Sequence, residues 1–318
     1  MILFLSPSFA FASPRIIDLG TYNGRNIYVY AVNSSNHLAG SCQVSVSDSH
    51  PCFYNGTNWV DLGGFGGQIG FANSLNDSDQ VVGVSYDANL KPHAFLWQTG
   101  VLTDLGDLST FGSSAVAINN HGQVVGYSYI VQNQSHATLW ENGQIKDLGT
   151  LPGGNISSAN SINNNGDIVG ISNVASGDYH AFVFRNNQMA DLGGIKTNTT
   201  PLAVNDFRQF VGFTTNVPGA DDAAFSYKNG NFVTLPWNSG PSWARDINNK
   251  GLVVGFGYNA PQGGVKHATL WVNNSVTELG SLSASGISEA SSINDTNVIA
   301  GDSPDSSGIN HAVLWTKN

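Results

Sequence analysis

The side chains best equipped for chemistry lie close to a repeated asparagine motif. Trp243, Arg245 and Asp246 precede one copy of it, Glu289 precedes the next, and Tyr28, Tyr30 and Phe71 precede two others. Two carboxylates ~5 to 10 Å apart can act as acid and base on a glycosidic bond. Asp246 and Glu289 are therefore the candidate pair of a polysaccharide lyase or hydrolase, with Arg245 neutralising a uronate. The same residues serve equally as a binding surface, because flat aromatic rings beside a few charged groups suit sugar rings or an extended peptide. Binding without catalysis is the expected function, and the lyase or hydrolase is the alternative.

The remaining reactive residues read as scaffold. His50, His93, His136, His180, His267 and His311 fall at one repeated position, where the remaining copy has Ala223. A catalytic base is needed once, so a histidine present six times is expected to hold a side-chain hydrogen bond within each copy. His37 and His121 lie in or beside turns, and no Gly-x-Ser-x-Gly elbow provides a nucleophile. An acid recurs in the same way at Asp18, Asp61, Asp104, Asp147, Asp191 and Glu278, with Thr234 once. Asn76 to Asp79 and Asn163 to Asp167 alternate oxygen-bearing side chains as a calcium loop does, yet neither is followed by a suitably placed glutamate. Six of the seven copies carry Asn-x-x-(Gly/Asn/Asp) here, with Arg208 in the fifth, which reads as a turn. No metal and no cofactor are expected.

The elements that must position these residues follow from internal repetition. The repeat asparagines are Asn33, Asn76, Asn119, Asn163, Asn205, Asn248 and Asn294. A glycine follows each by seven residues, at Gly40, Gly83, Gly126, Gly170, Gly212, Gly255 and Gly301. Each copy holds four short stretches of strand chemistry separated by turn residues, as in Ser113 to Asn119, Gln123 to Tyr129, His136 to Trp140 and Gln144 to Leu148. Four antiparallel strands per ~43 residues predict the blade of a β-propeller. The expected fold is an all-β, seven-bladed propeller over residues 13–318. Trp97, Trp140, Trp271, Trp315, Phe184, Tyr54 and Tyr227 are expected to pack between blades. The last copy ends after its third strand, and the chain opens with an orphan fourth strand, Ile16 to Gly20, so the N-terminal strand is expected to close the ring.

The segments His93-Ala94-Phe95-Leu96-Trp97, Asp104-Leu105-Gly106 and Ile118 to Ser128 resemble the repeat of the bacterial extracellular HAF-repeat family, over residues 16–318. The strand pattern is also similar to kelch blades. The resemblance implies an exported repeat protein and no particular reaction.

Met1 to Ala12 is apolar and ends Ala10-Phe11-Ala12, the small-x-small pattern of a signal-peptidase site, although it lacks the usual basic leading residues. A secreted, extracellular or periplasmic protein is expected, in which Cys42 and Cys52, the two cysteines, form a disulfide. A ring of that size contributes on the order of 2 to 3 kcal/mol. No later segment approaches the ~18 apolar residues of a membrane span. The formal net charge of -10 repels phosphate backbones, which excludes nucleic acid as a partner. A monomer with a carbohydrate or protein ligand at one face is the expectation.

Overall fold

The computed structural model describes residues 14–193, 198–215, 222–237, 239–260, 263–273 and 275–317, so the leader Met1 to Ala12 lies outside the described residues. Every regular element among the described residues is a β-strand. Within the third repeat, Ser113–Ile118, Val124–Val131, Gln134–Glu141 and Gln144–Gly149 are hydrogen-bonded neighbours in chain order, all antiparallel. Asn133, Asn142 and Gly143 have positive φ in the connecting turns, a conformation that asparagine and glycine tolerate.

The strands form six hydrogen-bonded sheets, five of four strands and one of eight. This corrects the expectation of seven separate sheets. Repeats one and two share the large sheet, because Ser49 of strand Ser49–Tyr54 and Ile69 of strand Gly66–Leu75 make one parallel bridge. Within that sheet each repeat keeps its own antiparallel set of four. Buried side chains lie between neighbouring repeats. One cluster joins Leu139 and Leu148 of repeat three to Ile162 and Phe182 of repeat four. The expected aromatic wedges belong to this packing, and Trp271 and Trp315 are fully buried.

One irregularity recurs in the first strand of all seven repeats. Its register slips between the residues four and two before the repeat asparagine, as between Ala115 and Ala117 or Ala244 and Asp246. The residue between them is unpaired, a β-bulge that re-aims its side chain. The repeat glycine on the second strand explains how the bulge is accommodated. A Cβ at any of the seven glycines would lie 1.9 to 2.2 Å from a carbonyl oxygen of the first strand, such as Ser114 O opposite Gly126. Only a residue without a side chain permits that approach.

The repeat asparagines are buried and form a closed ring. The Nδ2 of each donates to the backbone carbonyl of the next, at 2.9 to 3.1 Å, from Asn33 through Asn294, and Asn294 returns to Asn33. Each Oδ1 also accepts from the amides two and four residues on, as Asn119 does from His121 and Gln123. Removing such a group leaves several buried partners unsatisfied. Asn119→Ala is therefore expected to lower stability by at least about 2 kcal/mol in urea denaturation. A loss below about 0.5 kcal/mol would show the ring to be incidental.

The repeated histidines and acids pair with one another. Nδ1 lies 2.8 to 3.4 Å from the carboxylate in His50–Asp61, His93–Asp104, His136–Asp147, His180–Asp191, His267–Glu278 and His311–Asp18. In several repeats the aspartate also accepts the amide two residues on, as Asp147 does from Gly149. Ala223 and Thr234 stand in the same repeat, so both partners are absent together there. His311–Asp18 belongs to the closure itself, in which Arg15–Asp18 pairs antiparallel with Asn310–Thr316. Deleting Arg15 to Gly20 removes those bonds and exposes a strand edge. A fall in melting temperature of several degrees, or aggregation, is expected. An unchanged melt would place ring closure elsewhere.

Cys42 and Cys52 form the expected disulfide, both fully buried, with Cα atoms 5.8 Å apart. They are diagonal across the strand pair, since Cys42 faces His50 and Cys52 faces Gly40.

Candidate functional site

The bulges build the site. In every repeat the unpaired bulge residue lines an axial cavity of about 580 Å³: Tyr30, Asn73, Val116, Asn160, Leu202, Arg245 and Ser291. The next residue lines it too, giving a second ring of Ala31, Ser74, Ala117, Ser161, Ala203, Asp246 and Ser292. The two rings are small or uncharged except at Arg245 and Asp246. Tyr28, Glu289 and Asp302 add to the same wall.

Five of the seven sequence-derived residues, Tyr28, Tyr30, Arg245, Asp246 and Glu289, thus share one cavity. Trp243 and Phe71 do not line it. Trp243 stacks on Phe213 at 4.4 Å and 10°, donates from Nε1 to Asp222 Oδ2 at 2.9 Å, and lies under the Arg245 guanidinium, 5.3 Å from its ring centre. Phe71 backs Tyr30 edge-on at 6.4 Å. Both support channel residues from the side.

Asp246 and Glu289 are not equivalent. The Asp246 carboxylate accepts from Ser292 Oγ at 2.7 Å and from the amides of Ile293 at 2.9 Å and Ile247 at 2.7 Å. Burial still raises it above the usual carboxylate range, opposed by those three donors. It ties repeat six to repeat seven. Glu289 is bound on both oxygens, Oε1 by Arg245 at 2.9 and 3.1 Å and Oε2 by Lys266 at 2.6 Å. Both cations rest on the ring of Phe256, Lys266 at 4.7 Å and Arg245 at 5.2 Å.

Two charged residues of the site escaped the sequence reading. Asp302 is the strand partner of Glu289, and its Oδ1 accepts from Asn310 Nδ2 at 2.8 Å. Burial, reinforced by the Glu289 charge, pushes its carboxyl up to about 7, while the Asn310 amide, Lys266 and the Val29 amide pull the other way. Burial likewise drives the Tyr30 phenol upward, helped by Asp302 and Glu289. Asp302 follows a repeat glycine, where the other copies carry Ser41, Val84, Tyr127, Ile171, Phe213 and Phe256. A lone acid at that position was the available signal. Lys266 directly precedes a repeat histidine, as one of several residue types found there.

No protein-family model matches the chain, and no curated protein matches it. Solved structures do. The chain is similar to the β-propeller domain of the trilobed protease from Pyrococcus furiosus, with a TM-score of 0.63 and 7% identity, covering 92% of this chain and 97% of that one. The fold is a β-propeller. TolB from Acinetobacter baumannii is similar at a TM-score of 0.51 and 11% identity, over 89% of this propeller and 80% of that chain. A puromycin-hydrolyzing peptidase from Mycobacterium tuberculosis gives 0.59 and 10%, over 91% of this chain and 51% of that one. At these identities the likeness concerns the fold alone.

The raised Asp302 carboxyl has a consequence for stability. Between about pH 4, where an unfolded aspartate ionises, and about 7, the folded state retains a proton that the unfolded state has released. Stability therefore falls as pH rises across that window. Asp302→Asn removes this contribution, and its melting temperature is expected to gain several degrees on the wild type between about pH 4 and about pH 8. Parallel melting profiles for the two proteins would refute the assignment.

Proposed function

We propose that this propeller is a secreted binding module that takes a carbohydrate or protein ligand at its axial channel and performs no chemistry on it. The observation that carries this reading is the asymmetry of the channel wall. Repeated units present repeated surfaces, so selectivity arises where they differ, and here the charged and aromatic departures fall in repeats six, seven and one. Tyr28, 44% exposed, stands at that sector beside Tyr30, Arg245, Glu289 and Asp302. Flat rings and oriented charged donors in a concave site suit recognition of an extended polar ligand.

The finer architecture supports the same reading. We count repeats one and two as two blades joined by one bridge, giving a seven-bladed ring, in keeping with the sevenfold chain of asparagine hydrogen bonds. Export is supported by the disulfide and by the apolar Met1 to Ala12 segment, which also agrees with the resemblance to HAF-repeat proteins. The lyase or hydrolase reading draws less support. Asp246 is engaged by three donors and Glu289 by two cations, which leaves neither free to exchange a proton with a substrate.

Glycan and peptide arrays probed with the chain from Ser13 onward would identify the ligand, and isothermal titration would then test the site. Tyr28→Ala and Arg245→Ala are each expected to weaken binding by about 1 to 3 kcal/mol, with the melting temperature of Tyr28→Ala unchanged. Full affinity in both variants would move the site away from this channel.

A further inference from the structure

The channel sector holds a carboxylate with which, among the described residues, no cation pairs directly, although Lys266 acts on it through space. Glu289 is neutralised by Arg245 and Lys266, and Asp246 is satisfied by Ser292 and two amides. Asp302 accepts from Asn310 on Oδ1 and, among the described residues, forms no ion pair with a cation. It lines the cavity beside Tyr28 and Tyr30, whose ring faces attract a cation. Across the channel, Val116 and Ala117 of repeat three and Leu202 and Ala203 of repeat five present apolar side chains on either side of Asn160 and Ser161 of repeat four. The protein as a whole is acidic and draws cationic partners toward it.

Granting that a ligand enters the channel, we propose that Asp302 is the counter-ion for a primary ammonium on that ligand, supplied by a lysine side chain of a peptide or protein partner. The slender methylene stem of lysine suits those four apolar side chains, and its ammonium reaches a carboxylate flanked by two tyrosines. An amino sugar carries the same ammonium but would set ring hydroxyls, not methylenes, against them. The groups around Asp302 set the pH response. Glu289 faces it across the strand pair, Asn310 donates from the next strand, Lys266 and Arg245 approach from repeat six, and Tyr28 and Tyr30 from repeat one. An arriving ammonium favours the ionised carboxylate, so binding releases a proton wherever the free site is still protonated.

The test is titration calorimetry of the folded chain with an acetylated, amidated pentapeptide bearing one central lysine among glycines. Its Nε-acetyl-lysine counterpart and a glucosamine tetramer serve as comparisons. The lysyl peptide is expected to bind roughly tenfold more tightly at about pH 8 than at about pH 6, with heats at the lower pH that depend on the buffer because a proton is released. The acetylated peptide should lose at least roughly tenfold in affinity. Asp302→Asn should bind weakly with a flat pH profile while its melting temperature at about pH 8 is retained or raised. Tyr28→Ala should lose affinity but keep the pH slope. Equal binding of the two peptides, or an Asp302→Asn variant with unchanged affinity and slope, overturns the inference while leaving the channel as a binding site. Binding of the glucosamine tetramer and of neither peptide overturns the choice of lysine. Failure of all three probes also overturns it, and array ligands lost in Arg245→Ala would then show separately whether the channel binds at all.

Discussion

A single side-chain amide organises this molecule. The repeat asparagine accepts two backbone amides of its own turn with Oδ1 and donates from Nδ2 to the next repeat's backbone. Local turn formation and assembly of the ring are thereby coupled in one buried group. Aspartate would lose the donor and bring a charge into the interior, and serine could not span both contacts. A second belt lies alongside, in which the amide of Asp77 donates to the side chain of Asn120, and that of Asn120 to Asn164. The inner rim is held by polar contacts with little side-chain freedom, while the outer part of each junction is filled by Leu, Phe and Trp.

The channel follows from this constraint. With the first strand pinned at the asparagine, the bulge three residues earlier turns one unpaired side chain toward the axis in every repeat, and the repeat glycine admits the displaced carbonyl. Variation at the bulge changes the channel wall without disturbing the ladder. Charge placed there still needs local support. Arg245 has it from Trp243 and Phe256, and Glu289 from two paired cations, whereas Asp302 has amide donors and the charge of Lys266 acting through space. The division between residues that hold the ring and residues free to vary is thus made within three positions of one strand.

The scaffold was legible in the sequence because it is repeated. Seven asparagines and seven glycines in phase, histidines and acids that recur and disappear together, and an orphan strand at the N-terminus each left a periodic mark. Strand order and the Cys42–Cys52 bond followed from local rules of turn chemistry and pairing, and closure by Arg15–Asp18, the one long-range feature so read, from the fourth strand missing in the last copy. The site left a weaker mark. Tyr28, Phe71, Trp243 and Glu289 all stand five residues before a repeat asparagine, and an undisturbed strand, alternating its faces, would direct all four alike, whereas Tyr28 and Glu289 alone line the cavity.

What the sequence alone determined is therefore the repeating unit and its strands, since each depends on contacts within about one period of chain. The tertiary structure decided the rest. The bulge that selects the channel residues arises only when two strands pair, and the merger of repeats one and two rests on a single bridge between them. Asp302 acquires its character from Glu289 on a facing strand and from burial within the ring. Electrostatic environment depends on distance and solvent exclusion in space, and neither is encoded in the order of residues until the ring has closed.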